Sequence, residues 1–339
     1  MTTASTRGLR SNRGPALLVL GFLGAVLLGA LAVGARPAGA ARPARAAAAV
    51  RSAAAKPSAA AKSELTTGKA VVLGLIEGLT EFLPVSSTGH LHVAEQLMDI
   101  GKTSATKDAM DSYTVIIQVG AILAVLLISW RRVVEVFQGL IGRSTQGRKL
   151  LFALAAAFGP AAVIGVVLDK AIGDHLLKTA PIAAAWIVGG VAILVFGPRY
   201  RSAQRGGRAL ESLTVREGAI IGVAQALALW PGVSRSLVTI LAAIIIGLSL
   251  EAAVEFSFLL GLLTLGAATV YKLGKDGSLV FDTYGKASPL IGIAIAFVSA
   301  AVAVKWMLAY LHRHDLTVFA GYRLAIGVVA LGLMATTLL

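Results

Sequence analysis

Glu77-Gly-Leu-Thr-Glu-Phe-Leu-Pro-Val-Ser-Ser-Thr-Gly-His-Leu91 brings two carboxylates, the hydroxyl run Ser86-Ser87-Thr88 and a histidine into one short stretch between apolar flanks. At membrane depth every such group is costly and calls for a functional reason. Pro84 interrupts the stretch, because its ring clashes with the preceding turn and it lacks an N–H. The segment therefore reads as two half-helices with a polar break. A second stretch, Trp230-Pro-Gly-Val-Ser-Arg-Ser236, is broken in the same manner.

The flanks decide the class. Of the 339 residues, 57% are hydrophobic and 14% are charged, and the mean hydropathy is +0.81. Ordinary globular domains are about 45–50% apolar and about 25% charged. The sequence predicts an all-α polytopic membrane protein rather than a large soluble core. Spanning candidates are 113–130, 150–168, 180–197, 252–271, 287–311 and 317–338. Regions 69–98 and 214–248, the two interrupted ones, read as re-entrant helical hairpins. There are no cysteines, which excludes disulfides and thiolate metal sites.

The formal charge of +14 is uneven: residues 1–69 hold ten Lys/Arg against one acid, Glu64. Arg7, Arg10 and Arg13 precede the apolar run Leu17–Ala35, so residues 1–35 read as a signal peptide or signal anchor. Residues 36–66 are an Ala-rich linker, and 67–339 form the membrane-embedded domain. No aromatic-interleaved basic patch is present, which argues against nucleic acid as a partner.

The hairpins align with each other. Laying Gly74–Ser87 on Gly222–Arg235 puts Glu77 on Gln225 and Phe82 on Trp230. Paired interrupted segments in two halves predict an internal repeat with the site at their interface. Charge supplies an independent check. Loop 131–149 carries Arg131, Arg132, Arg143, Arg148 and Lys149, and loop 198–216 carries Arg199, Arg201, Arg205, Arg208 and Arg216. The positive-inside rule places both in the cytoplasm. The first hairpin then enters from outside and the second from the cytoplasm, as an inverted repeat requires.

The chemistry concentrates at the two breaks. Glu77 and Glu81 are four apart and share a helical face. Two carboxylates that close need a proton, a cation or a basic group between them, and hard oxygens suit Mg²⁺ or Ca²⁺. Ser86, Ser87 and Thr88 sit at a helix start, where one is expected to cap; free N–H groups there also bind phosphate. His90 lies within reach of the serines, the minimal arrangement for an activated nucleophile. Ser234, Arg235 and Ser236 supply the second break. A planar guanidinium at depth partners a phosphate, or a carboxylate such as Glu77 or Glu81. Glu251 suits a helix start, and Glu255 lies deeper, as a supporting residue. Trp186, Trp306, Tyr310 and Tyr322 read as interface or packing aromatics.

With these residues in view, the chain resembles the undecaprenyl-diphosphate phosphatase family of the bacitracin-resistance type. Glu77–His90 and Pro231-Gly-Val-Ser-Arg-Ser236 carry the resemblance, and Glu255–Leu260 and Phe319-Ala-Gly-Tyr-Arg-Leu324 resemble later family segments. Leu237 and Leu263 depart from it, standing where the family usually has Gly and Pro. The resemblance implies hydrolysis of a C55 polyprenyl diphosphate at the outer face of the bacterial plasma membrane. That reaction recycles the carrier lipid for cell-wall synthesis and lowers bacitracin susceptibility. The expected catalytic set is Glu77, Glu81, Ser87, His90 and Arg235, with Ser87 as nucleophile and His90 as general base or acid. Ser86, or a water activated by Glu81 or His90, is the alternative attacker. Ser86, Thr88, Ser234 and Ser236 are expected to bind substrate, and Glu77 and Glu81 to hold the divalent cation. Expected partners are the polyprenyl diphosphate, membrane lipids and a second copy of the chain in a homodimer. The rival reading is a polyprenyl-phosphate flippase or anion transporter of the same architecture.

Overall fold

The computed structural model describes residues 64–336. The signal-like segment 1–35 and nearly all of the linker lie outside the described residues. Within them the chain is all-α: α1 (Thr67–Thr80), α2 (Ser87–Met98), α3 (Ser104–Ile116), α4 (Gln118–Ile128), α5 (Trp130–Leu140), α6 (Thr145–His175), α7 (Thr179–Arg205), α8 (Val215–Gln225), α9 (Arg235–Ile245), α10 (Leu250–Tyr284), α11 (Ala287–Leu311) and α12 (Thr317–Ala335). Short hydroxyl side chains start many of them. Thr66, Thr103, Ser144 and Ser249 each accept a backbone N–H at a helix N-terminus, and Thr214 forms a reciprocal capping box with Glu217.

Six helical stretches are long and apolar enough to cross a membrane: Thr106–Ile128, Thr145–Leu168, Thr179–Gly197, Leu250–Tyr284, Ala287–Leu311 and Thr317–Ala335. They fall on the six expected spans, and the protein is a multi-pass membrane protein. Two differences are informative. Loop 131–149 contains α5, whose Val133, Val136 and Gly139 turn inward at helical spacing while Arg131 stays exposed. Helix α10 runs well past residue 271. Its polar extension is supported by Lys272 on Asp276 one turn on (3.0 Å), by Ser112 on Asp276 (3.3 Å), and by packing on α3.

The interrupted regions are built from α1 and α2, and from α8 and α9. At 14, 12, 11 and 11 residues each is at most about 21 Å long, short of the roughly 30 Å hydrocarbon core. Small residues let them sit close to long helices. Gly74 and Gly78 bring α1 onto the backbone of α11, and Gly218 and Gly222 bring α8 onto α6. The ends of α1 and α8 lead into the two breaks, which meet in the buried middle of the fold.

Candidate active site

Each break turns through a serine in an unusual conformation. Ser86 has φ +73° and Ser234 φ +75°, and each immediately precedes a half-helix. They hold matching positions when the two stretches are aligned. A non-glycine residue there costs about 1–3 kcal/mol and persists only where the surroundings hold it. The holding bonds run between the breaks. The Gly232 N–H donates to the Ser86 hydroxyl at 3.2 Å, and the Ser236 hydroxyl donates to the Leu83 carbonyl at 2.8 Å. Ser234 lies 3.0 Å from the Ser236 hydroxyl and accepts the Leu237 N–H, so it caps α9. Ser86 does not cap α2; its oxygen accepts the Gly232 N–H instead.

The two breaks together assemble a carboxylate, a hydroxyl and a guanidinium. The Ser87 hydroxyl donates to Glu81 Oε2, and Arg235 Nη2 donates to Glu81 Oε1 at 3.2 Å. The side chains of Glu81 and Arg235 are 6% and 11% exposed. Arg235 is further fixed by the Ser257 carbonyl at 2.9 Å and by the Phe82 ring beneath it at 5.0 Å. Gly261 on α10 makes room for it: a Cβ there would stand 2.6 Å from Cζ. Glu77 is fully buried one turn before Glu81, and neither of its oxygens has a hydrogen-bond partner. Its aligned counterpart Gln225 is likewise buried with unpartnered amide atoms. Buried polar groups are normally satisfied, so Glu77 stands out as an unpartnered carboxyl one turn from the Ser87–Glu81–Arg235 group. Thr88, by contrast, faces outward and is exposed.

His90 is not joined to Ser87. Its Nδ1 lies 2.6 Å from the Ser86 carbonyl and its Nε2 2.7 Å from the Tyr322 hydroxyl. A carbonyl only accepts, so Nδ1 carries the proton, and in the neutral ring Nε2 accepts from Tyr322. The ring stacks on Tyr322 and meets Trp186 edge-on. Trp186, fully buried, donates to the Val85 carbonyl at 2.9 Å.

Sequence reasoning passed over two of these contacts. Tyr322 does more than pack, since it binds His90. Arg323, next in the chain, is fully buried and donates to carbonyls of both breaks, Pro84 (3.2 Å) and Gly232 (2.8 Å), and to Ala185 of α7 (2.9 Å). The available signal was a lone arginine inside the apolar run 317–338. Glu255 is a correction in the other direction. Its carboxylate binds Arg132 at 2.8 Å, in a cluster where Arg132 also holds Glu135 and Glu211. The three carboxylates, Glu255 first, push the Arg132 pKa further up, and Glu211 is held below the usual range by its own backbone N–H and by Arg132. This cluster ties α5, α10 and the turn at Leu210–Ser212 together, apart from the breaks.

Residues 70–329 match the family model of the bacitracin resistance protein BacA. The chain belongs to the BacA family. Among BacA relatives, the undecaprenyl-diphosphatase of Sorangium cellulosum is 43% identical over 78% of this chain and 85% of its own length. Undecaprenyl-diphosphatase 2 of Rhodospirillum rubrum is 44% identical over 78% of this chain and 93% of its own. The undecaprenyl-diphosphatase of Methylococcus capsulatus is 42% identical over 79% and 97%. Leu237 is buried in the core beside the second break, and Leu263 lies within the unbroken α10.

Proposed function

We propose that the protein hydrolyses undecaprenyl diphosphate to undecaprenyl phosphate and inorganic phosphate, recycling the carrier lipid for cell-wall synthesis at the outer face of the bacterial plasma membrane. The observation that carries this reading is the Ser87–Glu81–Arg235 group, assembled from both breaks. A hydroxyl hydrogen-bonded to a buried carboxylate, with a guanidinium alongside, is suited to nucleophilic attack on a phosphoryl group. In this reading Ser87 Oγ attacks the terminal phosphorus and Glu81 takes its proton. The bond from that phosphorus to the bridging oxygen breaks, and undecaprenyl phosphate leaves. Water then hydrolyses the phosphoserine, releasing phosphate and restoring Ser87 and Glu81. Arg235 neutralises the oxygens that gain charge. His90, with both nitrogens engaged, orients the first turn of α2. Ser86, Ser234 and Ser236 act in substrate binding by holding the two breaks together.

The residues present fit a divalent cation. Both Glu77 oxygens are buried and unpartnered next to Glu81, a hard-oxygen donor set. Among the described residues no third His, Cys, Asp or Glu joins them. Such an ion, when bound, supplies charge neutralisation to the diphosphate.

Two observations support the outward-facing inverted repeat. The Arg-rich stretches 131–149 and 198–216 favour the cytoplasmic side by the positive-inside rule. The pairing of α1 with α11 and α8 with α6 also exchanges under a swap of the two halves. The test is phosphate release from C55 diphosphate by purified protein in liposomes, with and without chelator. Ser87→Ala and Glu81→Gln are expected to lower kcat by about 10²–10⁴-fold. Full activity in Ser87→Ala would overturn the covalent route. Lipid translocation without phosphate release would favour the flippase instead. Mn²⁺ bound by the wild type and not by Glu77→Gln, read by electron paramagnetic resonance, checks the cation site directly.

A further inference from the structure

We infer that Arg323 is a positioning residue for this site: it sets the spacing of the two breaks, and so the fit of Ser87 and Glu81 to Arg235. The inference rests on the phosphatase reading. Arg323 is fully buried, and among the described residues no carboxylate pairs with it. Its acceptors are three backbone carbonyls on three separate elements. Two of these, Pro84 and Gly232, hold the same place in the two breaks, each two residues before a serine at positive φ. One planar guanidinium therefore grips matching points of both strained turns. Ser87 and Glu81 belong to the first break and Arg235 to the second, so the distance this grip imposes is the distance the Glu81–Arg235 pair needs.

A fold-stabilising role alone does not account for the arrangement. Burying an unpaired cation is costly where an apolar side chain would pack well, yet the neighbouring helix leaves space for it. Gly189 on α7 lies against the guanidinium, and a Cβ there would stand 2.6 Å from Arg323 Cζ. Glycine is thus required by the arginine, as Gly261 is by Arg235. Lysine cannot replace the fork, because its donors radiate from one point.

The experiment uses the full-length protein in lipid with C55 diphosphate. It compares wild type, Arg323→Lys and Gly189→Ala, the second of which displaces the guanidinium without removing it. For each, kcat, KM and the thermal unfolding temperature are measured, with kcat taken per folded protein. Both variants are expected to lose about a hundredfold in kcat, as a misplacement of about 1 Å does, with KM changed less than about threefold. Wild-type kcat in folded Gly189→Ala overturns the inference. So does Arg323→Lys with unchanged kcat and raised KM, which would make the residue a substrate ligand. A wild type that releases no phosphate overturns the underlying reading instead, and is read before either variant.

Discussion

At the scale of single residues, the site depends on side chains held by bonds their sequence neighbours do not supply. His90 is the clearest case. The spacing Ser87-Thr-Gly-His90 suggests a serine–histidine pair, but the ring turns to the Ser86 carbonyl and to Tyr322, and Ser87 turns to Glu81. Tyr322→Phe removes one neutral hydrogen bond while keeping the stacked ring. Kinetics on this variant should show kcat/KM lowered about fivefold, the equivalent of about 1 kcal/mol, with little change in thermal stability. Ser86 offers a second check. Its positive φ favours glycine, whereas its hydroxyl accepts the Gly232 N–H. Ser86→Gly should therefore unfold at higher temperature than Ser86→Ala, by the equivalent of about 1 kcal/mol, although both lose the hydroxyl. Equal stability of the two would show that the turn is not strained.

At the scale of elements, the half-helices are placed by glycine rather than by large apolar side chains. Helix α1 approaches α11 so closely that a Cβ at Gly78 would meet the backbone N of Ala300 at 2.7 Å. That contact fixes the depth of Glu77 on the same helix and of Glu81 at its C-terminal end. Gly78→Val should separate the helices and destabilise the protein by about 1–3 kcal/mol, read as a lower unfolding temperature in detergent. Phosphate release should fall further than the loss of folded protein explains, because Glu81 moves with α1. A control substitution at the neighbouring, exposed Leu79, Leu79→Val, should leave both quantities near wild type.

At the scale of the whole molecule, two polar centres serve different ends. The breaks gather the buried Ser87–Glu81–Arg235 group, and the Arg132 cluster fastens α5 and α10 at the end carrying the basic stretches. Arg132→Ala should lower the unfolding temperature at neutral pH by freeing three carboxylates. Glu211 titrates lower in the folded chain than when unfolded. The share of that shift which Arg132 supplies, beside the larger one from Glu211's own backbone N–H, is therefore present above the ordinary glutamate pKa of about 4.3 and is lost as pH falls through its lower folded value. The gap in unfolding temperature between wild type and Arg132→Ala should consequently narrow from pH 7 toward pH 3. A gap that stays constant would mean that packing of the arginine stem, and not its charge, joins these elements.

Much of this was legible in the chain itself. Six apolar runs of bilayer length, and two regions cut by Pro84 and by Pro231-Gly232, dictate an all-helical membrane fold with two interrupted elements, since a bilayer admits no unsatisfied backbone. The ionisable groups at those cuts, Glu77, Glu81 and Arg235, stood out as candidates because charge at membrane depth is rare. Which groups touch was decided only by the tertiary structure. Glu81 meets Arg235 across 154 positions, Arg323 reaches Pro84 across 239, and His90 finds Tyr322 across 232. The local signals could not reveal these pairings, because helix periodicity reports which face a residue occupies, whereas the partner of that face depends on how glycine-lined helices dock.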